Sequence, residues 1–260
     1  GAPGDDEYDN DVRGDPGWHS TYAYRPTDVS SEVLAQAWSL PADTITQNLQ
    51  SCQPQQDASK PRLAIDRIFS PKGTGTVVTG TLTGGSIHIG DSLIAQPIGI
   101  PAKVRYIQSH SQALERALPG MRTALNLPDL PIDAPGKPGA KRGLTLTTQS
   151  CGVPTDTLDI HLQRLARPIP GIKPRALKHM ETVMIHHGSA RCRARVILHD
   201  RNHLNPGEDC LAQLRLENPL FLLTGDRIVL RDGSQQSTLA GGTVLDALPT
   251  RQGFRTESRE

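Results

Sequence analysis

The chain is 260 residues long, with 3% aromatic residues, 24 glycines and 21 prolines, a length that allows two domains and a composition that suits short strands and tight turns over a helical bundle. Its formal net charge is +1, so any nucleic-acid surface has to be a local patch and not a global field. Cys52, Cys151, Cys192 and Cys210 form no C-x-x-C pair, which argues for reduced thiols in a cytoplasmic protein, and no apolar run approaches the roughly 18 residues of a membrane span.

Residues 1–27 carry Asp5, Asp6, Glu7, Asp9, Asp11 and Asp15, opposed only by Arg13 and Arg25. Such an acidic segment buries too little apolar surface to offset its ordering entropy and is expected to be disordered. Gly1 in place of Met reads as the start of a fragment. Residues 28–60 read as a short helical remnant and a linker. Ser30 or Ser31 caps a helix to Leu40, with Val33, Leu34, Ala37 and Trp38 on one face, and Pro41 ends it. Ala42–Leu49 reads as a second helical piece, and Gln53–Asp57 as the linker.

From Arg62 the pattern becomes strand-like. Leu63–Phe69, Thr76–Leu82, Ile87–Gln96, Ala102–Gln108, Arg122–Leu127 and Leu144–Thr148 are predicted strands of a first antiparallel barrel over 61–148. Gly84-Gly85 is predicted to be a hairpin turn and Pro119-Gly120 a second turn. Asp133–Gly143 is a Pro/Gly-rich loop. A second barrel is expected over 154–249. Its predicted strands are Leu158–Leu165, Glu181–His187, Cys192–Leu198, Asp209–Leu216, Arg227–Arg231 and Gly242–Asp246. Residues 250–260 form a charged tail. The fold class is therefore all-β, two consecutive antiparallel barrels.

Arg191, Arg193 and Arg195 alternate along one predicted strand and so share a face. Three arginines make a poor core face, so the row is either solvated surface or a phosphate-binding strip. Lys137, Lys141 and Arg142 form a weaker basic cluster that reads as a solvated linker. A zinc site from Cys192, His199, His203 and Cys210 would match no closed ligand spacing, and no metal site is expected. His186 and His187 should alternate in and out of a sheet, so that one of them at most is buried. No Ser-His-Asp or Cys-His arrangement is readable, and no catalytic residue is assigned.

The sequence contains no G-x-x-x-x-G-K-[ST] phosphate loop and no N-K-x-D guanine-reading motif. Lys72-Gly73-Thr74 imitates the tail of such a loop, but Ile68 stands where its first glycine would be. No cofactor is therefore expected for this chain.

Four blocks resemble the selenocysteine-specific elongation factors, the SelB family, over about Arg62 to Leu248. They are RLAIDRIFSPKGTGTVVTGT from Arg62, GMRTALNL from Gly120, MIHHGSARCRARV from Met184 and DRIVLRDGSQQSTLAGGTVLD from Asp226. The last two are the more diagnostic, because the G-T-V-V-T-G core recurs across translational GTPases. The resemblance implies the two barrels that follow a G domain, which would join in cis or in trans and bring GTP and Mg. It also implies selenocysteinyl-tRNA and the ribosome as partners, with no membrane. Motif to motif, it carries the aminoacyl pocket onto Asp66, Arg67 and Arg122, and sets the second barrel against the tRNA.

The chemistry fits the residues. A selenol is more acidic than a thiol, whose reference pKa is about 8.5, so selenocysteine is largely anionic at neutral pH, and guanidiniums remain charged throughout. On a regular strand, however, Asp66 and Arg67 would point to opposite faces. A bulge is needed for both to reach one pocket. The rival readings are a tRNA- or ribosome-binding module without selenocysteine preference, and a β-barrel assembly module that binds no RNA.

Overall fold

The computed structural model describes residues 56–166, 175–234 and 237–249. The expected acidic segment, most of the helical remnant and linker, Cys52 and the charged tail lie outside the described residues.

The first barrel uses β1 (Arg62–Phe69), β2 (Val77–Thr83), β3 (Ile87–His88), β4 (Ser92–Gln96), β5 (Ile100–Lys103), β6 (Tyr106–Ser109), β7 (Gln112–Leu114), β8 (Arg116–Ala117), β9 (Arg122–Asn126) and β10 (Thr145–Thr147). Eight of these form one sheet in the order β5-β4-β10-β1-β2-β9-β6-β7, and β3 pairs with β8. Leu63, Leu82, Leu93, Ala102, Ile107, Leu125 and Leu146 belong to one buried cluster although they come from the middle and both ends of that sheet. The sheet therefore curls around a single core, while its edge strands β5 and β7 are not paired with each other. Alternation dictates the inner face: Leu63 and Ile65 are buried on β1, with Arg62 and Ala64 half-buried between them.

Three sequence expectations change here. Gly84-Gly85 is not a hairpin turn, because β2 pairs with β1 and β9 while β3 pairs with β8. The two glycines instead admit the incoming chain. A Cβ on Gly84 would lie 2.4 Å from the Lys60 carbonyl oxygen, and one on Gly85 2.6 Å from the Pro61 nitrogen. The Gly84 carbonyl accepts from both Ala58 and Lys60 N–H groups, each at 3.0 Å. Ile87–Gln96 breaks into β3 and β4, since Asp91 Oδ2 accepts from the His88 N–H at 2.8 Å and closes a turn. Ala102–Gln108 breaks because the chain changes partner: Val104 still bonds the Asp91 carbonyl at 2.9 Å, whereas the Arg105 N–H donates to the Asn126 carbonyl of β9 at 3.0 Å.

The second barrel uses β11 (Thr155–Arg164), β12 (Leu177–Lys178), β13 (Thr182–His187), β14 (Ala190–Leu198), β15 (His203–Leu204), β16 (Asp209–Leu220), β17 (Arg227–Arg231) and β18 (Thr238–Asp246). Six strands close on themselves in the order β11-β16-β14-β13-β17-β18. Closure removes every exposed edge from the ladder. Its interior is filled by Leu158, Ile160, Val183, Ile185, Leu214, Leu230 and Val244. Cys151, Cys192 and Cys210 are buried free thiols. Burial pushes the Cys210 thiol up to about 11. Among the described residues no helix is long and apolar enough to cross a membrane.

Candidate functional site

Strand β1 carries the first candidate site because its pairing with β2 slips. Ile65 faces Gly80 and Arg67 faces Thr79, so Asp66 is the extra residue of a β-bulge. The hydrophobic spacing shows the same slip: Ile65 is buried and Ile68 packs against the core, with half-buried Asp66 and exposed Arg67 between them. Both members of the pair thus lie on the outer face.

Arg122, opposite Thr81 at the start of β9, reaches across β2 to Asp66. Its guanidinium grips the carboxylate with both terminal nitrogens: Nη1 donates to Oδ2, and Nη2 donates to Oδ1 at 3.0 Å. Thr79 Oγ1 donates to the same Oδ1 at 2.8 Å. Asp66 therefore fixes the orientation of Arg122, and a bidentate fork leaves little rotational freedom. The Arg122 side chain remains 47% exposed, so the triad forms an open shelf and not an enclosed cavity. With Arg67 it brings together two guanidiniums and one carboxylate.

Beside this shelf the two barrels meet at a cleft of about 500 Å³, lined by Asp66, Thr81, Arg142, Thr145, His187 and Ser189 among others. The seam is held by Arg62, whose Nη1 donates to both oxygens of Asp226 at 2.8 and 2.7 Å. His187 Nε2 stands 3.5 Å from Asp226 Oδ2. Gly188 brings the β13–β14 hairpin down onto β1: its φ is +53°, and a Cβ there would lie 3.2 Å from that of Ala64. Sequence reasoning missed this seam, and it placed Arg142 in a solvated loop. Lys141 of that loop pairs with Asp133 at 3.5 Å, while Arg142 lines the cleft.

The second candidate site is the outer face of β14. Ala190, Cys192, Ala194 and Val196 are buried while Arg191, Arg193 and Arg195 are exposed. Among the described residues none of the three makes an ion pair with a carboxylate. Register extends the row in ways the linear sequence did not reveal. Arg195 faces Arg215 on β16; Met184 of β13 lies between Arg193 and Arg231 of β17; His186 lies between Arg191 and Val229. His186 and His187 are both half-buried, and they alternate faces as expected, His186 opposite exposed Arg191 and His187 opposite buried Ala190. His187 ends its strand over the cleft, whereas His186 sits among the arginines.

One carboxylate near this face is already engaged. Glu181, just before β13, accepts from Arg175 at 3.0 and 2.6 Å. Burial alone would raise its pKa, but the hydrogen bonds from Arg175 and from the Lys178 N–H outweigh burial and lower it. No group of three or more His, Cys, Asp or Glu side chains among the described residues is arranged to hold a metal ion.

Comparison with known proteins agrees with this architecture. The profile of the selenocysteine-specific elongation factor β-barrel domain matches residues 168–251. The selenocysteine-specific elongation factor of Desulfomicrobium baculatum is 37% identical over 187 residues, covering 72% of this chain and 28% of that protein. The Escherichia coli factor is 35% identical over 215 residues, covering 82% of this chain and 32% of that protein. The crystal structure of a bacterial selenocysteine-specific elongation factor superposes with a TM-score of 0.61 at 25% identity, over 78% of this chain and 30% of that one. The chain thus spans about a third or less of the length of these relatives. Through its two β-barrels, the chain belongs to the selenocysteine-specific elongation factor family.

Proposed function

We propose that the paired barrels, 61–148 and 154–249, form the selenocysteinyl-tRNA-holding part of a cytoplasmic factor that delivers this tRNA to the ribosome. In this reading a G domain supplies GTP and Mg and closes over the aminoacyl end, and this chain supplies binding surface and amino-acid selectivity. The observation that carries the proposal is the bulge at Asp66. It brings a fixed guanidinium, Arg122, and an exposed one, Arg67, onto the same face of one sheet. A selenolate docking there would meet the Arg122 guanidinium, whose outer edge can donate a charge-assisted hydrogen bond. Serine offers a neutral hydroxyl and gains little. Discrimination of about 3 kcal/mol corresponds to a ratio on the order of 100-fold. Arg191, Arg193 and Arg195 are assigned to the tRNA backbone, where unneutralised cations match phosphates.

The test uses a factor with a matching G domain placed ahead of Arg62. Arg122→Ala should weaken selenocysteinyl-tRNA binding by about 2–5 kcal/mol, the usual cost of truncating one partner of a charged pair, while seryl-tRNA on the same tRNA body is little affected. Equal losses for both charged tRNAs would show that Arg122 supports the fold or the RNA backbone, and selectivity would have to come from elsewhere.

A further inference from the structure

The second barrel gathers cations to an extent that the row of three arginines does not convey. Strands β13, β14 and β17 read TVMIHH, ARCRARVIL and RIVLR and contain no carboxylate. Of the acids at their margins, Glu181 is paired with Arg175 and Asp226 with Arg62, while Asp232 accepts from the Ser237 hydroxyl at 2.8 Å and keeps its charge. His186 lies at the centre of this field. Directly across from it on β14 is Arg191, with Arg193 diagonal; on the other side, β17 presents Val229 directly and Arg227 and Arg231 diagonally. Direct cross-strand neighbours have Cβ atoms about 5 Å apart, and diagonal neighbours are about 7–8 Å apart, within reach of long side chains. The Nε2 of His186 and the Nε of Arg231 are both shielded from solvent, and neither has a hydrogen-bond partner. Two adjacent buried donor positions left unsatisfied in a cationic field cost free energy. An anion held by the guanidiniums beside the His186 ring would offset that field.

We infer that His186, Arg191 and Arg231 form a phosphodiester-binding site on the second barrel whose occupation by RNA takes up one proton at His186. The inference rests on the tRNA-binding reading above and adds its regulation by pH. In the free protein, burial and the charges of Arg231 and Arg191 hold the His186 pKa below its ordinary value, so the ring is neutral at physiological pH. A phosphate drawn to the two guanidiniums offsets the positive field they exert on the ring, which favours the protonated ring. Binding and protonation then reinforce each other. Affinity should rise as pH falls through the raised pKa of the complex, and level off below the depressed pKa of the free protein.

The experiment is a titration of the whole chain with an unmodified tRNA transcript at fixed ionic strength between pH 8 and pH 5.5. Affinity should increase by about tenfold for each unit by which binding raises the His186 pKa. His186→Gln, which cannot gain charge, should flatten this dependence. Calorimetry at pH 6.5 in buffers of different ionisation enthalpy should report net proton uptake that His186→Gln abolishes. Proton-linked NMR shifts of the His186 ring in the unsubstituted protein, free and tRNA-bound, give the two pKa values without any variant. A bound value no higher than the free one overturns the inference, as does an unchanged pH dependence in folded His186→Gln. If tRNA binds with a steep salt dependence but without proton uptake, the tRNA reading stands and the linkage fails. If no tRNA binds at any pH, both fail.

Discussion

The two outer faces use arginine in opposite ways. On the first barrel Arg122 is gripped by Asp66 and braced by Thr79, so its guanidinium is a fixed geometric element with most of its charge compensated. On the second barrel Arg191, Arg193 and Arg195 stand exposed and make no ion pair with a carboxylate among the described residues, so nothing there fixes their orientation. The first arrangement suits recognition of one small group at one place. The second suits a polyanion whose phosphates recur along a groove. Paired arginines confer orientation and unpaired ones confer field, and one short chain separates these tasks between two sheets.

Substitutions can break this contrast. The largest effect is expected from changing Arg191, Arg193 and Arg195 together to Gln. The slope of log K against log salt for tRNA should flatten by up to roughly 0.9 for each phosphate that is no longer neutralised, and charged and uncharged tRNA should be affected alike. Changing the same three residues to Lys should keep most of the slope, because a field needs charge and not a fork. Filter binding across a salt series checks both, and an unchanged slope in the Gln variant removes this face from the footprint.

The converse test is Arg122→Lys in the factor with its G domain. Charge is preserved but the bidentate grip on Asp66 is broken. The preference for selenocysteinyl-tRNA over seryl-tRNA should fall about tenfold, roughly 1.4 kcal/mol. A variant that kept full preference would show that charge alone is read on the first barrel as well, and the contrast would collapse.

The last effect, read in stability and not in binding, concerns another paired arginine, Arg62, at the seam. Asp226→Asn removes the charge while preserving the shape, and leaves Arg62 half-buried without its partner. A loss of about 1–3 kcal/mol in unfolding free energy is expected, the usual cost of leaving a buried polar group unmatched. Denaturant titration of the whole chain measures it. A variant as stable as the parent would mean that the apolar packing around Gly188 holds the barrels together unaided.

Much of this is legible in the sequence wherever the physics is local. Alternation along β14 reveals both the inward Ala-Cys-Ala-Val set and the outward arginines, because strand periodicity needs no partner to be read. The bulge also leaves a trace: Leu63, Ile65 and Ile68 are spaced by two and then by three, which only an inserted residue reconciles with one inner face. From sequence the bulge is a requirement, and only the β1–β2 register locates it at Asp66. Gly84-Gly85 misleads because a glycine pair is a strong hairpin signal, yet here the missing side chains make room for the backbone of 60–61. The seam and the His186 site are invisible for another reason. Arg62 and Asp226 are 164 residues apart, and Arg231 nears His186 only because β17 pairs with β13 after three intervening strands. Such juxtapositions follow from strand order, which alternation does not encode.

The seam has a mechanical consequence. Arg62 opens the same strand that, four residues later, carries Asp66; along an extended chain this is about 13 Å. Strand β1 is ladder-bonded to both β2 and β10 over most of that length, so it cannot stretch. It behaves as a short rod pinned to the second barrel at one end and holding the amino-acid shelf at the other. A displacement of the second barrel, such as a tRNA body would cause when it leans on β14, is carried along that rod to the Asp66 bulge, the most compliant joint in the strand. In the proposed function, the surface assigned to the tRNA body and the shelf assigned to its cargo would be joined by a single piece of backbone.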